Sequence, residues 1–325
     1  MNESYDVVVI GGGAAGLSGA VALARSRRSV LVIDAGEPRN SPADHVHNFL
    51  TRDGTPPAEL YAAGRAEVTR YGGHVEAGQV TSLSRDGDLF RAEVNGRVVT
   101  ARRLLVATGL RDELPDVPGL AERWGIDVLH CPYCHGWEVR DKRVAILATG
   151  PGAVPQALLF QQLTRHLTVL RHTAAPFPAE QAGQLRALGI PVFDGLVVRV
   201  EASASRLTGV RLADGTRVGL DALIVAPRFL ANADLLAPFG LAPVEVSFGG
   251  QVIATRIAAD SSGATSVPGI YVAGNVADPQ AQVITAAAAG LMAGAAANMD
   301  LAAEDARHAV TMAVRPAIRM DPMAR

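Results

Sequence analysis

An α/β protein with two strand–glycine loop–helix units, one nested inside the other, is what this 325-residue sequence predicts. Two glycine loops carry the prediction, together with the order of shorter strand–turn signals around them. Each loop follows a short β-branched run and opens a helix with apolar periodicity, the local pattern of a Rossmann-like nucleotide-binding domain. With 49% hydrophobic and 19% charged residues the chain reads as compact, and it is long enough for two domains with their own cores.

The first unit is YDVVVIGGGAAGLSGAVALARSRRSVLVIDAGE. Val7 to Ile10 form the strand, Gly11, Gly13 and Gly16 the G-x-G-x-x-G loop, and a helix and second strand follow, ending at Asp34. Gly11 permits the tight turn, Gly13 lets a pyrophosphate approach the backbone, and Gly16 lets helix and strand pack closely. The phosphates then sit at a helix N-terminus, and an acid about 20 residues on accepts from ribose hydroxyls, a role that falls to Asp34.

The second unit is DKRVAILATGPGAVPQALLFQQLTRHLTVLRHTA. A strand, Val144 to Leu147, meets Gly150 and Gly152, then a helix, then a strand ending at Leu170. Pro155 stands where the third small residue belongs, and Arg171, not an acid, follows the second strand. The fold is therefore expected to survive here better than the binding site.

Two shorter signals set the order. RRLLVATGL is a strand followed by Ala107, Thr108 and Gly109; VPGIYVAGNVADPQAQVITAAAAG is a strand, a turn at Gly274 and Asn275, and a helix. Their positions predict one domain made of residues 1–113 and 246–325, interrupted by an inserted domain of residues 114–245. Proline and glycine cluster at both junctions, in DELPDVPGLAERWG and FGLAPVEVSFGG.

Charge and hydropathy narrow the partners. The net charge is −2 with no block of like charges, which argues against a nucleic-acid footprint or a polybasic membrane surface. Glu3 and Asp6 stand where a signal peptide needs cations, so a cytoplasmic location is expected. QVITAAAAGLMAGAAAN is mostly Ala and Gly, short of the roughly 18 strongly apolar residues of a membrane span, and reads as a buried helix. The tail DARHAVTMAVRPAIRMDPMAR has no clear periodicity and is expected to fray or to pack on a partner subunit.

The chemistry concentrates in LHCPYCHGWE, which holds the only two cysteines, Cys131 and Cys134, between His130 and His135. The spacing fits a zinc knuckle, a haem attachment site or a redox dithiol. Haem attachment requires export. Zinc requires neighbouring His130 and Cys131 to converge, and no second ligand pair closes a tetrahedron, so no metal site is expected. A redox pair is the reading that compartment and geometry favour.

GGGAAG, Asp34, VATG, a central C-x-x-C before a second glycine loop, and a late AGNVAD together resemble the low-molecular-weight thioredoxin reductase family of flavoproteins, over nearly the whole chain. The resemblance implies an FAD domain in two segments around an inserted NADPH-type domain, and a homodimer. It implies FAD contacts at Gly11, Gly13, Ala15, Gly16 and Asp34, at Asn48, Val80, Thr108 and Gly109, and at Gly274, Asn275, Gln282 and Val283. Two departures stand out. Asn275 replaces the usual Asp at the flavin ribitol. Arg171 and His172 stand where the family has an arginine pair for the 2′-phosphate, so NADPH binding is expected to be weakened.

The string HCPYCHG is similar to one branch of that family, the dithiol oxidases that close disulfides in natural products of the gliotoxin, romidepsin and holomycin type. That likeness implies an FAD-dependent oxidase of a small dithiol, with O2 as acceptor and H2O2 as product. Cys131 would exchange with substrate and Cys134 face the flavin. His130 would be the base, paired with a carboxylate that maps to Asp278; His135 has a weaker claim. Two other readings stay open: an NAD(P)H-dependent thioredoxin (disulfide) reductase running the same centre backwards, and a redox-sensing binding protein.

Overall fold

The computed structural model describes residues 3–318, with side chains through residue 313. Its first sheet is a doubly covered, largely parallel one. Glu3–Ile10 lies between Val30–Asp34 and Arg97–Val106, parallel to both, and His74–Ala77 pairs beyond Val30–Asp34. Ile270–Val272, far away in sequence, adds to the other side of Arg97–Val106. Alternation explains why these strands are continuously apolar. Val8, Ile10, Leu31 and Ile33 enter one core while Val7, Val9, Val30 and Val32 enter the opposite one, so both faces are buried.

The second sheet has five parallel strands, in the order Val192–Asp194, Leu167–Arg171, Val144–Leu147, Ala222–Ile224 and Val128–Leu129. The two strands expected around the second glycine loop are its centre. A three-stranded antiparallel sheet, Val197–Ser203 with Arg206–Leu212 and Arg217–Val218, covers one face through Val200, Leu207 and Val210. The molecule is thus an α/β protein of two-domain architecture, as the paired glycine loops predict.

The chain passes between the domains at adjacent places. Leu110–Glu113 and Arg228–Ala231 pair antiparallel, with Phe229 opposite Asp112, in a small sheet completed by Val244–Phe248 and Gln251–Arg256. Beyond this crossing Ala231, Ala233, Leu236 and Leu241 pack into the first domain's core.

The last helix, Val283–Ile318, differs from the wholly buried helix expected for the Ala/Gly-rich segment. Ala286, Ala293, Ala297 and Leu301 are buried, whereas Leu291, Met292 and Met299 are exposed. Small residues line the buried side because this helix crosses the first helix, Ala14–Arg25, at backbone contact distance. A Cβ on Gly290 would lie 1.9 Å from the Ala15 carbonyl oxygen, and one on Gly294 2.6 Å from that of Gly19. Val283–Ala313 is long and apolar enough, by length and composition only, to cross a membrane. Its glycine face is taken up by the first helix, and Asp300 and Glu304 are bound by Arg103 and Arg102 of a core strand. The tail expected to fray continues this helix to residue 318; residues 319–325 lie outside the described residues.

Candidate active site

A large cavity of 2220 Å³ opens where strands of both sheets end. That is the usual ligand position in open α/β folds, and the volume is more than twice that of a drug-sized pocket, roughly 300–1,000 Å³. Of the residues expected to contact cofactor, Gly11, Gly13, Ala15, Asp34, Val80 and Thr108 are on its wall. So are Gly109, Gly274, Asn275, Gln282 and Val283. Gly16 and Asn48 are not.

The cradle at the first loop is built by steric necessity. Gly11 has φ +104°, and a Cβ there would meet the Ala107 carbonyl oxygen at 2.4 Å. A Cβ on Gly16 would lie 1.9 Å from the Gly11 carbonyl oxygen, whereas Gly13 has nothing within 4 Å and leaves open space at the start of the helix. The Gly12 N–H donates to Asp34 Oδ1 at 3.1 Å, fixing the carboxylate at the loop. Across the cavity, Thr108 Oγ1 donates to the Asn232 carbonyl at 2.6 Å and Asn232 Nδ2 donates back to the Thr108 carbonyl at 3.1 Å. Asn275 Nδ2 donates to the Ala281 carbonyl at 2.9 Å and so holds the turn that presents Gln282 and Val283.

On the opposite wall Cys131 and Cys134 are disulfide-bonded. The strand Val128–Leu129 delivers them, and Pro132 at the first turn starts the short helix Pro132–His135. Cys131 Sγ accepts from the Cys134 N–H at 3.1 Å. A loop of the first domain reaches over this helix: Asn48, with φ +60°, donates from Nδ2 to the Tyr133 carbonyl, and His47 pairs with Glu138 at 3.5 Å.

His130 is also on the wall. Strand register fixes its neighbour: Leu223 and Ile224 lie opposite Val128 and Leu129, so the next residue, Val225, comes beside His130. The His130 Nδ1 is 2.9 Å from the Val225 carbonyl, an acceptor only, so Nδ1 carries the proton and Nε2 is the free nitrogen. Burial is the main influence on this imidazole and pushes its pKa below the usual histidine value; the Val225 carbonyl and Asp112 oppose that, and Arg39 adds to it. Arg39 grips Asp112 through two hydrogen bonds of 2.8 and 2.6 Å, and its guanidinium lies over the Phe229 ring, which meets His130 edge-on at 5.2 Å. Asp278 is elsewhere. It is exposed, off the cavity wall, and Oδ1 accepts from the Gln280 N–H at 3.0 Å. His135 is largely buried with a pKa lowered by that burial, and its Nε2 has no partner among the described residues.

The second glycine loop is on the same cavity wall, at Gly150, Pro151 and Gly152, and other parts of the chain lie against it. A Cβ on Gly150 would lie 1.9 Å from Gln251 Oε1, and one on Gly249 2.7 Å from the Pro151 ring. Arg171 pairs with Asp194 at 2.8 Å, and His172 Nδ1 accepts from the Val197 N–H at 3.0 Å. Reading the sequence missed Asn232, Gln156, Arg39 and Asp112 on this wall and Val225 behind it. They belong to no local motif, and contacts between distant segments bring them in.

A dinucleotide cradle and a disulfide facing one another across a shared cavity define a disulfide oxidoreductase. The chain belongs to the pyridine nucleotide-disulphide oxidoreductase family, whose model matches residues 5–307. It is 32% identical to thioredoxin reductase sirT of Leptosphaeria maculans, over 93% of this chain and 95% of that one. To thioredoxin reductase tcpT of Claviceps purpurea it is 31% identical, over 85% and 92%. The crystal structure of HlmI is similar with a TM-score of 0.88 at 43% identity, covering 97% of this chain and 98% of that one. The protein is a thioredoxin-reductase-like flavoprotein that binds FAD and acts on thiols. The open Gly13 backbone, the loop-bound Asp34 and the long cavity fit that cofactor.

Proposed function

We propose that the protein is an FAD-dependent dithiol oxidase that closes a disulfide in a small dithiol at Cys131 and Cys134, with O2 as electron acceptor. The observation that supports this most is the disulfide on the wall of the FAD cavity, together with the Gln251 side chain lying against Gly150 of the second nucleotide loop. Electrons then enter from thiols rather than from a nicotinamide. The Arg171–Asp194 pair supports the same reading, because a carboxylate beside Arg171 opposes a 2′-phosphate. Likeness to HlmI, sirT and tcpT supports a substrate of the dithiol natural-product class.

In this reading one substrate thiolate attacks Cys131 Sγ, breaking its bond to Cys134 and forming a mixed disulfide. The second substrate thiolate displaces Cys131 and closes the substrate's own disulfide. His130 accepts a thiol proton at Nε2, since Nδ1 is committed to Val225. Two electrons and two protons thus leave the substrate, and O2 takes both as H2O2. FAD, held by the first glycine loop, Asp34, Thr108–Gly109 and the turn before the last helix, supplies the two-electron relay between the cysteine pair and oxygen. Its domain takes the chain as far as Glu113 and again from Ala231, earlier than the expected return at residue 246 because Ala231, Ala233, Leu236 and Leu241 join its core, and the insert lies between. The exposed Leu291, Met292 and Met299 on the last helix support a homodimer, and the absence of any cysteine beyond the redox pair is consistent with a cytoplasmic location.

Anaerobic mixing tests the proposal. Excess dithiol should bleach the flavin, and admitting air should restore the colour with one H2O2 per turnover. Rapid bleaching by NADPH with dithiol inert would return the protein to the reductases.

A further inference from the structure

The helix that opens from the second glycine loop keeps one buried polar side chain on the cavity wall. Gln156, on Ala153–Phe160, is 9% exposed. Its Nε2 donates to the His130 carbonyl oxygen at 2.8 Å and stands 3.5 Å from His130 Nδ1. An amide donor is costly to bury without a partner, so this contact is a strong local constraint. It acts on the residue immediately before Cys131.

We propose that Gln156 is a positioning residue for the thiol chemistry: it anchors the His130 backbone while the Val225 carbonyl holds the ring, so that Nε2 is aimed at the thiols reacting on Cys131. The second nucleotide helix has thereby become a support for the base. This rests on His130 being the base in the oxidase reading. Three elements hold the imidazole. The strand end at Val225 fixes Nδ1–H, the helix through Gln156 fixes the main chain, and Phe229 from the domain crossing packs edge-on against the ring. The charged groups acting on it come from the first domain: Arg39, which disfavours the imidazolium, and Asp112, which favours it. No carboxylate among the described residues is hydrogen-bonded to the ring, so orientation falls to neutral groups.

The experiment is anaerobic stopped-flow reduction of the holoenzyme flavin by excess dithiothreitol, from pH 5 to 9, on Gln156→Leu, Gln156→Glu, His130→Ala and the double variant Gln156→Leu/His130→Ala. Gln156→Leu is expected to slow reduction by about tenfold to a hundredfold, the scale of an ångström-sized misplacement, with the flavin spectrum retained. Gln156→Glu keeps the shape but puts an acceptor where the donor to the His130 carbonyl was, so it too should slow reduction. Its carboxylate, close to Nδ1, favours the imidazolium and is expected to move the acid limb of the profile to higher pH. In the His130→Ala background, Gln156→Leu should cost nothing further, because its effect runs through the histidine. Additive losses, or a Gln156→Glu profile superimposable on the parent's, would overturn the assignment. If His130→Ala alone reduces at the parent rate, it is the base reading that fails, and that result is separate from the Gln156 comparison.

Discussion

Gly290→Ala sets two known effects against each other. An alanine is worth about 1 kcal/mol over glycine inside a helix, so propensity alone makes the variant more stable. The contact says the opposite. The new Cβ would lie 1.9 Å from the Ala15 carbonyl oxygen and 2.6 Å from its carbon, backbone atoms that no rotamer change can move aside. Overpacking of this kind costs typically 1–3 kcal/mol, and the upper end applies when main chain must shift, leaving a net loss of roughly 2 kcal/mol. The first helix has to slide at Ala15, a residue on the cavity wall, so the FAD cradle is displaced with it. Thermal release of FAD, followed by the rise in flavin fluorescence, is expected to begin roughly 4–8 °C earlier, with weaker FAD retention on dilution. A release temperature equal to or above the parent's would refute the close-approach reasoning.

Cys134→Ser should keep its FAD and lose dithiol-dependent oxygen uptake altogether, as read by an oxygen electrode; residual turnover near the parent rate would contradict the disulfide route. His130, His135 and His172 all have pKa values lowered by burial. The unfolded chain therefore binds protons that the folded one refuses, and stability should fall as pH drops below about 6.5. Urea midpoints at pH 7.5 and 5.5 check the sign, and a higher midpoint at pH 5.5 would contradict it. Asp112→Asn removes the anion that compensates Arg39, so the acid limb of dithiol-driven flavin reduction should move to lower pH, the reverse of the shift expected for Gln156→Glu.

Local patterns carried a great deal. Both glycine loops, the strands before and after them, and the cysteine pair were legible because each is determined within a few residues by sterics or by spacing. What the sequence hid depends on pairing between distant segments. Val225 meets His130 only because Ala222–Ile224 and Val128–Leu129 are in one register, and Arg39 meets Asp112 only because the crossing strand turns that carboxylate inward. Asp278 shows the limit from the other side: its place at the end of AGNVAD suggested a partner for His130, while its carboxylate accepts from the Gln280 N–H next to it. The last helix was legible in type and misjudged in burial. Composition counts apolar residues, and it was their sorting into a glycine side and a Leu/Met side that decided which ones met water.

The crossing between the domains has a bearing on descent. Leu110–Glu113 and Arg228–Ala231 are hydrogen-bonded neighbours, so the inserted module enters and leaves the parent fold at a single point, like a long loop between two strands of a hairpin. Such an insertion leaves the parent's own pairing intact. Changes around the second glycine loop and the cysteines can then accumulate without breaking any strand pair of the first sheet.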